Sequence, residues 1–481
     1  MRKIVIYLLL ALGFSSCEKY LEVSPTNTLV VKSYEDVKAL MGAHIRMWNE
    51  YDNALSGTSI PFKNEDLYLF FAFYSDDLNT DRFMENQMCS YNWEGIFIES
   101  LDWMNESVPG ILWSEFFSNI GFYNTVIDGV HDVEATEEEK DIVRNEAKFL
   151  RAWYLFKLSQ YFSPYKQNEL GIPLNLESEK IGESDTRRRT QAEVYDIIIA
   201  DLMAIVDSKA TPRNNYNIFF DKKLAHALLA EVYLFKGGSG AGAKEDYTQA
   251  VAHAQAAIEG HELSPVQDYK PFTTFAGTGI FKDTKEALLS LVWYDYYYKG
   301  MYYIMNPYYT QYPSDAVYRL YTDDDVRKTK FFGQDRTVIK FDGALDSPYG
   351  TYQNLVFNYF HVAEMYLIVA EGYARSGDEG NARTWLENFQ KCRYLNYNGY
   401  QGNDLLKDIL EERRKEFFLE QDIRWCDLIR EPKGWTRKSY KNEETASFTI
   451  KDDDYRFCLP IPVEQELQYN NIPQNPGWGM H

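Results

Sequence analysis

The chain has 481 residues and a formal net charge of -22, long enough to bury a core of its own without disulfide staples. An acidic surface of this size repels nucleic acid and anionic lipid headgroups, so neither is an expected partner. With 38 Tyr, 10 Trp and 29 Phe, aromatic residues make up 16% of the chain, more than core packing asks for, and phenol and indole rings suit half-exposed binding surfaces.

Arg2 and Lys3 precede an apolar run from Ile4 to Phe14, followed by Ser15, Ser16 and Cys17. A basic start, about a dozen apolar residues and a small-residue site predict a secretory signal over 1–16. The run falls short of the roughly 20 apolar residues that a spanning helix needs. A cysteine just past the cleavage point resembles a bacterial lipobox, with Phe14 where leucine is usual. It marks Cys17 as the lipidation site and the membrane tether of a mature single domain, 17–481. Loss of Arg2 and Lys3 with the signal makes the mature chain more negative still. Cys89, Cys392, Cys426 and Cys458 are far apart and lack disulfide-framework or metal-ligand spacing.

Residues 52–105 are aromatic-rich without helical periodicity and include Asp76-Asp77, Tyr91, Asn92 and Trp93. Helix pairs are predicted at about 110–162 and 190–237, with a further helix at 243–260. Here Ala230-Glu231-Val232-Tyr233 is followed by Gly237, and the pattern returns as Ala370-Glu371-Gly372-Tyr373 followed by Gly377, in a pair at 357–394. Tyr154-Leu155-Phe156-Lys157 repeats the letters of Tyr233-Leu234-Phe235-Lys236. The arrangement is similar to the tetratricopeptide repeat, whose helix pairs bury their apolar stripes only by stacking. Gly237 to Lys244 superficially suggests a phosphate loop, but Ala243 takes the lysine position and Glu245 follows Lys244. It reads as a flexible linker between repeat helices. Between 261 and 356 the periodicity is lost again, and Trp293, Tyr294, Tyr296, Tyr297 and Tyr298 sit among short strands and loops. The expected fold is mostly α. An α-helical tetratricopeptide-like repeat scaffold, about 110–260 and 357–430, carries two aromatic-rich insertions, about 52–105 and 261–356.

No catalytic constellation assembles. The seven histidines are scattered without ligand spacing, and there is no G-x-S-x-G elbow. Asp323-Asp324-Asp325 and Asp452-Asp453-Asp454 lack the Gly and distal Glu of an EF-hand loop, and read as solvated acidic turns. The chain is expected to be a binding protein with no cofactor and no metal. A sugar presents a C–H face to an aromatic ring while its hydroxyls need planar donors and acceptors. Loops on a rigid framework are where such residues sit. The candidates for glycan contact are Tyr91, Asn92, Trp93, Asp76, Trp293, Tyr296 and Tyr298, with Asp76 equally suited to capping a helix.

Four stretches resemble the SusD/RagB family, in the family's order. They are Cys17 to Pro25 (C-x-x-[YF]-L-[DE]-x-x-P), Glu146 to Tyr154 (E-A-x-F-L-R-A-x-x-Y), Glu412 to Phe417 continuing to Arg424–Arg430, and Leu459-Pro460-Ile461-Pro462 with Gln474 to Trp478. Asp422 stands where members often have Gly, and reads as a tolerated left-handed turn. Glu412, Arg413, Glu416, Arg424 and Asp427 are expected to form a partly buried ion-pair network locking the last helices to the tail, with Arg151 also structural. The tail itself suits an extended strap over the scaffold. The resemblance implies a SusD-like α/α fold and a lipid-anchored protein on the outer face of the outer membrane. It also implies a SusC-like TonB-dependent transporter as partner, to which captured oligosaccharide or polysaccharide is delivered. Capture of oligopeptide, as in RagB-like branches, and a structural lid without its own ligand are the alternatives.

Overall fold

The computed structural model describes residues 32–49, 71, 74–78, 101, 103–105, 107–176, 186–213, 217–271, 273–275, 280–282, 285–293, 312–340, 354–438, 447–462 and 470–479. Local signals start the helices where the sequence places them. Thr136 opens a capping box, its Oγ1 accepting from Glu139 N at 3.3 Å while Glu139 Oε2 accepts from Thr136 N at 3.0 Å. Thr190 and Glu193 repeat the device at 3.2 and 2.8 Å, so four otherwise unpaired N–H groups find partners. Helix α1 is Tyr34–Asn49, and α2 (Ser107–Asp132), α3 (Glu137–Phe162), α4 (Gln191–Asp207), α5 (Lys222–Gly237) and α6 (Asp246–Ala257) follow. Every residue from Phe149 to Phe162 of α3 is buried, which makes it a central helix enclosed all round, with α2 on one flank and α4 on the other.

Two short helices, α7 (Asp315–Tyr318) and α8 (Val326–Phe331), come next, then α9 (Val362–Arg375), α10 (Glu379–Gln390), α11 (Leu405–Glu416) and α12 (Ile423–Arg430). Each repeat helix packs on the next: α4 on α5, α5 on α6, α6 on α9, and α9 on both α10 and α11. The α6–α9 approach is close because Gly372 has no side chain. A Cβ there would lie 2.6 Å from Val251 Cγ2 and 3.0 Å from Tyr247 O. Past the end of α9, Gly377 takes φ +85°, and the amides of Gly377 and Asp378 close on Ala374 O and Tyr373 O, a left-handed stop that favours glycine.

Strands β1 (Thr273–Phe275), β2 (Ile280–Lys282), β3 (Ala287–Trp293) and β4 (Asn354–His361) form an antiparallel sheet in the order β1-β4-β3-β2. A separate hairpin joins β5 (Trp435–Lys438) to β6 (Ser447–Ile450). The fold class is the one expected, a mostly helical repeat scaffold. Two expectations change. The 261–356 stretch contains α7 and α8 as well as strands. The Gly237–Lys244 connection is a packed turn rather than a flexible linker: Gly240 N donates to Tyr165 O at 2.8 Å, and Lys166 Nζ to Gly238 O at 2.5 Å.

Candidate functional site

The 405–430 segment sets the frame on which the aromatic stretches sit. Arg413 reaches Glu364 of α9 at 2.7 Å and Asp427 of α12 at 3.0 Å. Arg430 binds Glu371 at 2.6 Å and Asp427 at 2.7 Å. Glu412 and Glu416 both grip the fully buried Arg327, at 2.6 and 3.1 Å, and Glu416 also takes Arg393 at 2.8 Å. Burial pushes the Glu416 carboxyl up, but Arg393 and Arg327 outweigh it and hold the group at about 2. The lock expected at this segment is therefore present and more buried than expected. Among the described residues it makes no ion pair that ties the last helices to the tail. Its partners lie on α9, at Arg327 on α8 and its cap Asp325, at Arg393 after α10, and in the 74–78 segment.

The tail has a separate fastening. Asn475 Nδ2 donates to Phe162 O at 2.9 Å and Leu459 O at 2.7 Å, Arg188 donates to Asn475 Oδ1 at 2.7 Å, and Trp478 Nε1 donates to Cys458 O at 2.9 Å. Arg151 is structural as expected, bridging Asp201 at 2.7 and 2.8 Å and Asn124 at 2.9 Å.

Asp422 is not the left-handed turn residue expected. Its φ is -92°, and the left-handed positions are Leu419 and Gln421, at φ 57° and 49°. The Asp422 carboxylate instead accepts from Lys157 Nζ at 2.7 Å and from Tyr161 Oη at 2.5 Å. Burial alone would raise its pKa, but Lys157 outweighs burial and holds it below the usual value.

Asp76 is the one candidate glycan-contact residue whose side chain is described. Both its oxygens face Arg424, at 2.7 and 2.8 Å, and Arg414 lies at 3.0 Å, so it is an ion-pair anchor rather than a helix cap. Its neighbour Asp77, 1% exposed, binds Arg414 Nε at 2.8 Å. The same turn holds the second insertion: Leu78 bridges Pro313, Ser314 N donates to Asp77 O at 2.7 Å, and Ser314 Oγ donates to Asp76 O at 2.7 Å. Trp293 ends β3 opposite Leu355 of β4. Its side chain, and Tyr91, Asn92, Trp93, Tyr296, Tyr298 and the lipidation candidate Cys17, lie outside the described residues.

The reading of the acidic runs as solvated turns holds for some members and fails for others. Asp325 is fully buried against Arg327 at 2.8 Å, and Asp454 pairs with Arg456 at 2.8 Å, so neither is simply a solvated turn residue. No group of three or more metal-ligating side chains occurs among the described residues. Folding does bring two of the scattered histidines together, His226 Nδ1 and His253 Nδ1 at 2.8 Å across α5 and α6, a contact with no signal in the one-dimensional spacing. Cys392, Cys426 and Cys458 are free thiols, and no described helix is long and apolar enough to cross a membrane.

Comparison with known proteins gives a consistent result. A family model described as "SusD family" matches residues 205–478, and one described as "Starch-binding associating with outer membrane" matches 19–234. Among solved structures, a SusD superfamily protein from Bacteroides vulgatus superposes with a TM-score of 0.68 at 20% identity, over 93% of this chain and 100% of its own. One from Bacteroides thetaiotaomicron gives 0.67 at 19%, over 92% and 100%. A laminarin-binding SusD-like protein gives 0.61 at 19%, over 93% and 100%. At these identities the likeness is one of fold. No curated protein matches the chain. The family match spans more than half the sequence and agrees with the helical frame and its buried motif segment: this chain belongs to the SusD family.

Proposed function

We propose that this chain is a cell-surface lipoprotein, anchored at Cys17 in the outer membrane, that captures oligosaccharide or polysaccharide and hands it to a SusC-like TonB-dependent transporter. No bond is made or broken in the process. The observation that carries the reading is the meeting of the two aromatic-rich insertions at one turn. Leu78 bridges Pro313 there, Ser314 bonds to Asp76 and Asp77, and the turn is pinned to α11 and α12 through Asp76, Asp77, Arg414 and Arg424. With residues of both stretches seated at that turn, Tyr91, Asn92, Trp93, Trp293, Tyr296 and Tyr298 are the proposed contacts to one shared ligand. Family membership and the laminarin-binding relative support a glycan as that ligand. The scaffold face away from the insertions is then the transporter-facing side.

Two or three ring stacks with a few hydrogen bonds give roughly micromolar to millimolar affinity once association entropy is subtracted. The test is calorimetry of the soluble protein, begun just after Cys17, against a panel of polysaccharides and peptides, with Trp93→Ala and Trp293→Ala alongside. Binding of one glycan, weakened at least tenfold in either folded variant, is the expected result. A peptide signal with silence across the sugars overturns the carbohydrate reading, and silence across both classes favours a lid without its own ligand.

A further inference from the structure

Where the repeat helices meet the 405–430 segment, the scaffold forms a partly open cavity of about 40 Å³, room for about two or three waters. Separate stretches of chain build its wall: Lys157 and Gln160 come from α3, Glu231 from α5, Glu364 from α9, Arg413 from α11, and Asp422 from the turn before α12. Most of the charges are already matched. Lys157 holds Asp422 at 2.7 Å, Arg413 holds Glu364 and Asp427, and Arg430 holds Asp427 and, behind the wall, Glu371.

Three polar groups are not matched. Gln160 Oε1 and Arg413 Nη1 are sealed from bulk water without a hydrogen-bond partner among the described residues, in side chains only 5% and 6% exposed. An unmade hydrogen bond at a buried donor or acceptor carries the full cost of its desolvation. The third is the Glu231 carboxyl. It feels Glu364, Lys157, Arg413 and Asp422 through space, and no hydrogen bond is among the effects on it.

The repeat supplies an internal control. Glu371, in the same place in the second Ala-Glu-x-Tyr copy, has Arg430 at 2.6 Å and Arg375 at 2.7 Å. Against the opposing effect of burial, those two arginines hold it at about 2. Glu231 has two cations nearby, but Lys157 is committed to Asp422, and Arg413 to Glu364 and Asp427. Burial, and after it the like charge of Glu364, push the Glu231 carboxyl well above the usual carboxylate range. If every wall group were ionised, the cations Lys157, Arg413 and Arg430 would face the carboxylates Glu231, Glu364, Asp422 and Asp427, one negative charge in excess.

We propose that this cavity is a built water site, in which two or three waters bridge Gln160, Arg413 and the Glu231 carboxyl, the wall carboxylate that has no ion-pair partner of its own among the described residues. A free donor on Arg413, a free acceptor on Gln160 and a carboxylic acid that does both form a set that water satisfies, because each water also donates and accepts. An anion would meet excess negative charge, and a divalent cation would find no carboxylate free except Glu231. The site ties α3, α5 and α11 together through solvent, and it acts whether or not the protein carries a ligand.

The pH dependence follows from the sign of the shift. The folded chain binds the Glu231 proton more tightly than the unfolded chain does. This group's contribution is therefore complete below its ordinary value of about 4.5, and it is lost as pH rises from there toward the raised folded value. The test is Glu231→Gln in the mature chain, an uncharged isostere of the protonated acid. Unfolding by denaturant is followed from pH 5 to 9, and infrared spectra are recorded for a buried protonated carboxyl. The expected result is a variant at least as stable as wild type at neutral pH, with a flatter loss of stability toward alkaline pH, and a protonated-carboxyl band that only the wild type shows. A crystal structure of the wild type should place two or three solvent peaks within hydrogen-bond distance of Gln160 Oε1 and Arg413 Nη1. Clear destabilisation of Glu231→Gln at neutral pH with no protonated band, an empty cavity, or stability that depends on sodium or potassium would each overturn the proposal. If Glu231→Gln does not fold, the carboxyl carbon shifts of ¹³C-glutamate wild type decide: one glutamate still protonated at neutral pH supports it, and none refutes it.

Discussion

Single residues in this protein carry charge into the interior in pairs, and the pairs decide what a substitution does. Lys157 and Asp422 sit on α3 and before α12, 265 positions apart, and each is the other's ion-pair partner. Asp422→Ala should therefore cost about 3–5 kcal/mol by stranding Lys157, read as a lower denaturation midpoint. The double variant Lys157→Met/Asp422→Leu should recover most of that loss, since two apolar residues replace a pair whose desolvation was already costly. Glu371 and Glu416, both held at about 2, govern the acid limb. Their folded values are depressed, so their contribution is present above about 4.5 and is lost as pH falls toward 2, up to ~3 kcal/mol each. The melting temperature should drop steeply across that window, and Glu371→Gln should shallow the drop while lowering stability at neutral pH. Apart from Glu371 with Arg375, an i,i+4 pair within α9, none of these pairings was readable from spacing. The residue types at Glu412, Arg413, Glu416 and Asp427 announced a network, but Arg327, Arg393 and Glu364 join it only because folding brings distant segments together.

Elements were far more legible. The capping residues Thr136 and Thr190, each followed three positions later by Glu, mark the starts of α3 and α4, and the Ala-Glu-x-Tyr copies mark α5 and α9. These signals are local, and local propensity survives in the fold when burial agrees with it. Thr136→Ala should cost ~1 kcal/mol by leaving the Glu139 amide unpaired, measurable by thermal unfolding. Gly377→Ala should cost a similar ~1 kcal/mol, because its φ of +85° penalises any Cβ. The short helices α7 and α8 were missed because each is six residues or fewer, too short for a period of 3.6 to register. Ser314 and Asp325 do cap them, and those caps were the available signal.

At the scale of the whole molecule, the ion-paired turn at 74–78 joins the helical frame to both aromatic stretches. Arg424 is its main contact with α12, so Arg424→Ala should loosen the turn without melting the core. Amide exchange at 75–78 and 314 should rise more than exchange in α3, and glycan affinity should fall about tenfold or more as the two stretches lose their common seat. Conversely, glycan at about 100 times its Kd should add ~2.7 kcal/mol to wild-type stability, an increment that Trp293→Ala should lack. Of the candidate site, the sequence identified ring-rich stretches, while Asp76 turned out to face two arginines. Its pairing depends on α11 and α12, more than 330 positions away.

What the sequence by itself determined is the class of the fold, the repeat helices, and the motif segments that identify the family. All of these are encoded in residues within a turn or two of one another. The tertiary structure alone decided which charge meets which: Lys157 with Asp422, Arg413 with Glu364, Asp76 with Arg424, and Glu231 beside cations already committed elsewhere. The physical reason is that a buried charge is worth only what its neighbours make of it, and those neighbours are fixed by the packing of distant helices, not by their order along the chain.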